Sequence, residues 1–142
     1  MFQGLSIDYM KFKKYLSHPI IVYFTAFLLP FTILFFVYLS QGIYWGSETS
    51  PLLGDGFHQY VIFDVTLRNI LHGTDSLFYS FTSGLGLNFY ALSSYYLGSF
   101  LSPFVFFFDS LSMVDSVYLF TLIKIGLIGL STYYSIKEIY PK

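Results

Sequence analysis

From Ile20 to Ser40 the chain reads "IIVYFTAFLLPFTILFFVYLS", without one charged residue. A helix of this length crosses a hydrocarbon core of about 30 Å, and the run exceeds the apolar stretch of about 7–15 residues found in a cleaved signal peptide. No small-residue cleavage pattern follows it, so it is expected to remain as an anchor. Composition decides whether it meets lipid or a protein core. The 142 residues are 55% hydrophobic and only 11% charged, against about 25% charged in soluble domains. So few charges cannot cover a soluble surface, and an integral membrane protein follows. Pro30 in mid-run predicts a kink, which membrane helices tolerate where neighbours satisfy the freed carbonyl.

Orientation comes from the basic residues. Lys11, Lys13 and Lys14 precede the run, and a long stretch after it has no lysine. The positive-inside rule then places the N-terminus in the cytoplasm and the segment 41–86 outside. "GSETSPLLGDG" in that segment is rich in Gly, Ser and Pro, which marks a loop. "FHQYVIFDVTLRNILH", from Phe57 to His72, has a helical pattern. Tyr60, Asp64, Arg68 and His72 recur at i, i+4 and form one polar stripe. With few charges and a short length, this helix is expected at the membrane interface or under other protein rather than across the bilayer.

Two more apolar stretches complete the reading. Leu87 to Phe108 is uncharged and long enough to cross, with serines and Gly98 suited to close packing and Pro103 to a kink or an end. Ser116 to Ile136 is interrupted only by Lys124 and contains Gly126 and Gly129 as small packing residues. The fold class is therefore an all-α integral membrane chain in a single membrane region, 1–142. Its transmembrane helices are expected over 20–40, 87–108 and 116–136, with an outer loop 41–86 that holds an interfacial helix. Three crossings would leave Lys137 and Lys142 outside, against the charge rule.

Cysteine is absent, which excludes disulfides, thiolate metal sites and cysteine nucleophiles. No basic patch suggests nucleic acid. The 18 Phe and 14 Tyr suit interfacial belts and packed apolar helices. Asp55, between Gly54 and Gly56 in "PLLGDGFHQY", has two readings of about equal weight. Asp-Gly is a common turn dipeptide. A carboxylate at the outer membrane face could also act as a general base or hold a phosphate or metal. Flanking glycines would let a substrate approach the backbone. His58, Gln59 and Tyr60 could add hydrogen bonds, although a lone histidine such as His58 or His72 is more often structural. Asp55, His58 and His72 lack a zinc spacing. Asp64 and Arg68 are read first as a helical ion pair. Arg68 as a phosphate holder is the second reading.

Lys124 is an ionisable residue inside a span, a functional feature by default. It lies on the order of 12 Å from the start of the span at 116, so its ammonium is expected to snorkel or to meet a carboxylate on a helix from elsewhere.

The stretch "GDGFHQYVIFDVTLRNILHGTDSLFYSFTSGLGLNFYALSSYYLGSFLSPF" resembles the N-terminal region of the bacterial YfhO-like membrane proteins, and the likeness extends through "TLIKIGLIGLSTYYSIK". These proteins are counted among the C-type (GT-C) glycosyltransferases. The resemblance implies transfer of a sugar from a polyprenyl-phosphate carrier to a surface glycopolymer such as lipoteichoic acid, outside the bacterial cell membrane. It makes Asp55 the catalytic candidate, since an acidic residue in the first outer loop has that role in such enzymes. Gly54, Gly56, His58, Gln59, Tyr60 and Arg68 are then expected to bind substrate. No zinc or nucleotide site is implied, and dependence on a divalent cation stays open.

Full-length members are several times longer, so this chain is expected to be an N-terminal part, inactive alone. Its expected partners are membrane lipid, the polyprenyl-phosphate-sugar donor and the remaining helices. A small membrane interaction protein, or a transporter or flippase component, is the alternative.

Overall fold

The computed structural model describes residues 18–81 and 84–140. The basic flank with Lys11, Lys13 and Lys14, as well as Ser83 and Lys142, lies outside the described residues. Helix α1 is Pro19–Ser40. A π-helical stretch, Gly56–Val61, runs directly into α2, Ile62–Leu71. Helix α3 is Phe89–Tyr96, followed by 3-10 segments at Ser102–Phe107 and Ser110–Ser112, and α4 is Met113–Ile139. Among the described residues there is no strand, only an isolated bridge between Ser80 and Leu87. Two stretches among the described residues are long and apolar enough to cross a membrane: Pro19–Ser40, with mean hydropathy 2.5, and Ser110–Ile139, with 1.7.

The chain divides into two compact units, one ending at Val37 and resuming at Thr121, the other spanning Tyr38–Phe120. In the first unit α1 and α4 run antiparallel. Pairings progress from Tyr23 with Lys137 and Tyr133, through Ala26 and Pro30 with Gly129, to Phe27 with Gly126. Glycine is required at 129, where backbone is in the way, and at 126 a side chain would force the Phe27 ring to move. A Cβ at Gly126 would stand 2.6 Å from the Phe27 ring, and one at Gly129 would stand 2.5 Å from both the Ala26 carbonyl oxygen and the Pro30 ring.

The Ala26 contact has a covalent origin. Pro30 has no N–H, so the carbonyl four residues earlier, that of Ala26, lacks its helical donor. In lipid such a group must be met from within the protein. At Gly129 the hydrogen that takes the place of Cβ faces this oxygen, a Cα–H···O contact made possible by the missing side chain. The remainder of α1 is turned outward. No α1 residue is buried, and Ile20, Phe24, Ile33 and Phe36 are each more than half exposed. That surface suits hydrocarbon.

The second unit corrects one expectation. The uncharged stretch 87–108 is not one crossing helix. Helix α3 ends at Tyr96, the chain breaks through Leu97–Leu101, and a short 3-10 segment with Pro103 in its first turn follows. Local chemistry explains the break. Ser93 and Ser94 both donate their hydroxyls to the Tyr90 carbonyl, at 2.8 and 3.0 Å, and Gly98 and Pro103 then favour other backbone forms. Asn88 caps the start of α3 by accepting from the Tyr90 N–H at 3.0 Å. Helix α4 runs antiparallel to α1, whereas three crossings would have made the two parallel.

The core of the second unit is Phe63, Phe89 and Leu97, with Leu67, Ile70, Leu77, Leu92 and Tyr96 packed around them. Val105, fully buried, adds the 3-10 segment to the interior. At the start of α4 the Asp115 carboxylate accepts from the Gly46 N–H at 2.8 Å and fixes the turn that follows α1, where Gly46 has a φ of +76°.

The seam between the two long helices yields a prediction. Gly129→Leu should destabilise the protein by about 1–3 kcal/mol, the cost of overpacking, whereas Ile128→Leu on the exposed face should be nearly silent. Thermal unfolding in detergent distinguishes the two. Equal stability of both variants would mean that the Gly129 seam does not form.

Candidate functional site

The residues around Asp55 are arranged by a tight turn. Leu52 and Leu53 lead into Gly54, whose φ of +53° is a conformation that suits glycine. The Gly56 N–H donates to the Leu53 carbonyl at 3.1 Å, and the N–H groups of Phe57 and His58 both donate to the Gly54 carbonyl at 3.1 Å. The turn is thus closed by backbone groups and by the freedom of Gly54. Space beside Gly54 is open, with no atom within 4 Å of where a Cβ would stand. At Gly56 a Cβ would approach the Leu52 side chain to 3.3 Å.

Asp55 follows with an ordinary helical backbone and its side chain exposed. The carboxylate does not cap the helix behind it, and no hydrogen bond or ion pair reaches it among the described residues. This is unlike Asp115, Asn88 and Ser50, whose side chains all hold backbone N–H groups nearby. The turn therefore makes no use of its aspartate.

The next six residues, Gly56–Val61, form a π-helix. This widened form is rare and concentrates at functional sites. It carries His58, Gln59 and Tyr60. His58 is exposed, and its ring meets the adjacent Phe57 ring edge-on at 5.9 Å. Gln59 is half-buried. Tyr60 sets its ring edge against Tyr96 at 5.4 Å, and Phe63 packs on the same Tyr96 at 4.9 Å. The aromatic contacts tie the π-turn to α3 on one side, and Asp55, His58 and the open flank of Gly54 remain accessible. No periodicity in "GFHQYV" announces a π-helix, so the widened turn was not legible in the sequence.

Arg68 belongs elsewhere. It lies thirteen residues beyond Asp55 on one helical run, roughly 20 Å along the axis. Its guanidinium is directed away from that turn. Nε donates to the Phe108 carbonyl, Nη1 to the Asn69 side-chain oxygen at 3.3 Å, and Nη2 lies 3.7 Å from the Asp109 carboxylate. These ties reach forty residues ahead, where i, i+4 spacing had suggested Asp64 as the partner. Asp64 itself is buried, and no buried side-chain polar atom among the described residues lacks a hydrogen-bond partner. His72 completes this end. Its Nδ1 stands 2.8 Å from the Arg68 carbonyl, which can only accept, so the ring proton is on Nδ1. The same ring stacks on Phe106 at 4.3 Å and 11°. The polar stripe read from the sequence is thus divided: Tyr60 near the turn, Arg68 and His72 bracing the 3-10 segment. Among the described residues no three His, Asp or Glu side chains gather as a metal-binding set.

Removing the Arg68 tie should loosen the 3-10 segment. Arg68→Met leaves the Phe108 carbonyl without its charged donor and should cost about 1.5–3 kcal/mol. Asp109→Asn should change little, because that carboxylate is 89% exposed and the pair is screened by water. Limited proteolysis between residues 97 and 112, compared with thermal unfolding, reads both effects. Similar losses in the two variants would mean that the ion pair, not the carbonyl bond, is the tie.

No curated protein and no solved structure matches the chain. One family model does, across most of its length, from within α1 to beyond the end of α4. The match covers residues 26–142, and the chain belongs to the family of the bacterial membrane protein YfhO.

Proposed function

We propose that this chain is the N-terminal part of a membrane glycosyltransferase, one that moves a sugar from a polyprenyl-phosphate carrier to a cell-surface glycopolymer such as lipoteichoic acid. The observation that carries the reading is Asp55: an exposed carboxylate on a turn that does not use it, beside open backbone at Gly54 and at the mouth of a π-helix. Family membership and the resemblance to C-type glycosyltransferases, whose catalytic acid lies in the first loop after the first span, support the same assignment.

In this mechanism Asp55 takes the proton of the acceptor hydroxyl as its oxygen attacks the anomeric carbon, and the polyprenyl phosphate departs with the electrons of the broken bond. Gly54 and Gly56 keep the approach clear. His58, Gln59 and Tyr60, next along the π-turn, supply hydrogen bonds to the sugar. Arg68 contributes by bracing the segment around Phe108 rather than by holding the phosphate. Further helices of the complete protein wall the donor cavity.

Charge supports the orientation this requires. Because α1 and α4 are antiparallel, the N-terminal end of α1 and the C-terminal end of α4 share one membrane side. Lys137 lies at that end of α4, in the sequence Lys11, Lys13 and Lys14 precede α1 and Lys142 follows α4, and the connection 41–112 has Arg68 as its sole lysine or arginine. By the positive-inside rule the lysines face the cytoplasm and Asp55 faces out. The conflict that three crossings created at Lys137 and Lys142 disappears.

Two measurements test the reading. In membranes that contain the complete protein, Asp55→Asn should reduce sugar transfer from a polyprenyl-phosphate donor by about 100-fold or more at unchanged protein level, the scale of lost general-base catalysis. Unchanged transfer would return Asp55 to the role of a turn residue. In intact cells, Ser50→Cys and Ser76→Cys should react with an impermeant maleimide, and Tyr140→Cys only after permeabilisation. The reverse pattern would place Asp55 in the cytoplasm and remove it from the proposed chemistry.

A further inference from the structure

Lys124 lies within α4, two residues from the midpoint of Met113–Ile139. With a hydrocarbon core of about 30 Å centred on that midpoint, its Cα is roughly 12 Å below the nearer boundary. A lysine stem extends about 6 Å, so snorkelling cannot bring the ammonium to water or to lipid phosphates. The side chain is exposed, and no hydrogen bond or ion pair reaches it among the described residues. Its helix presents two different faces. Leu122, Gly126 and Gly129 are on the side that carries the α1 seam, with Gly126 against Phe27 and Gly129 against Ala26. Lys124, Ile128, Ser131 and Ser135 follow at spacings of four, three and four, on one exposed face. Ile128 there is 58% exposed. An uncovered ammonium at this depth is costly, and intramembrane charges are met by partners.

We infer that the face formed by Lys124, Ile128, Ser131 and Ser135 receives another transmembrane helix, one that presents a carboxylate near mid-membrane to Lys124. A second copy of this chain does not fit. Related about an axis along the membrane normal, it would set Lys124 against Lys124. Helix α1 has no acid, and the carboxylates of α4, Asp115 and Glu138, are nine and fourteen residues away, about 13 and 21 Å along the helix. Ser131 and Ser135 suit the contact, because small hydroxyl residues let helix backbones approach. The inference is independent of the chemistry proposed for Asp55, which lies outside α4.

Site-specific photocrosslinking tests it in membranes that contain the complete protein. A benzophenone side chain at Ile128 should yield a peptide adduct, and mass spectrometry should place it on a transmembrane segment with an Asp or Glu near its centre. The adduct should fall about fivefold or more in Lys124→Met and persist in Lys124→Arg. Exchanging the charges, Lys124→Glu with the identified acid changed to lysine, should restore it. Should Lys124→Met fail to accumulate, the wild-type adduct and the charge exchange still decide. Adducts to lipid alone, to a second copy of this chain, or at a yield indifferent to the charge at 124 would each overturn the inference.

Discussion

In hydrocarbon a backbone carbonyl without a donor is expensive, and Pro30 creates one at Ala26 by lacking an N–H. How that oxygen is met governs the two long helices. Gly129 comes up against it where any side chain would collide, both with this oxygen and with the Pro30 ring. The Cα–H···O contact contributes about 0.5–1 kcal/mol, and the close approach adds dispersion along the seam. Once Gly129 meets Ala26 in an antiparallel pair, the register of the remaining contacts follows. Gly126 falls under Phe27, Tyr133 meets Tyr23 edge-on at 5.3 Å, and the Lys137 ammonium reaches the Tyr23 hydroxyl at 3.1 Å. One missing N–H thus accounts for the glycine at 129, and the Phe27, Tyr23 and Lys137 contacts lie along the same seam.

The second unit solves a related problem in another way. Its chain between Leu97 and Ser112 is irregular, and irregular backbone leaves carbonyls that no helix satisfies. Arg68, projecting from α2, donates to the Phe108 carbonyl, and His72 and Phe106 stack beside it. Ser102 and Val105, in the same 3-10 segment as Phe106, are buried. One guanidinium therefore connects α2 to the segment that leads into α4. An Arg at i+4 from an acid is usually a surface pair worth little. Here its energetic weight comes from a bond to backbone across forty residues.

The turn at Asp55 stands apart from both arrangements, because its carboxylate stabilises nothing near it. Some other polar side chains are absorbed by the fold, as with Asp115 on Gly46 and Asn88 on Tyr90. A residue that satisfies no structural demand is available for chemistry, and this separates Asp55 from Asp75, Asp109 and Asp115, whose carboxylates hold backbone N–H groups. The glycines on either side differ as well. Gly54 is needed for its positive φ and leaves open space, and Gly56 is hemmed by Leu52.

Read alone, the sequence determined the solvent and the long elements. An uncharged run of helical length and a charge content of 11% point to lipid, which is why α1 and most of α4 were legible. It also located the helix after the GDG turn, since apolar periodicity is a local property. What it could not decide was whether 87–108 crosses. Length and absence of charge are necessary for a span, but the bonds of Ser93 and Ser94 to Tyr90, and the break before Pro103, are decided by competition among backbone partners that hydropathy does not register. Helix direction, the partner of Arg68 and the π-turn at Gly56–Val61 likewise came from tertiary structure alone. Each depends on which distant groups arrive to satisfy a polar atom or fill the space over a glycine, and residues far apart in the chain carry no local sign of that meeting.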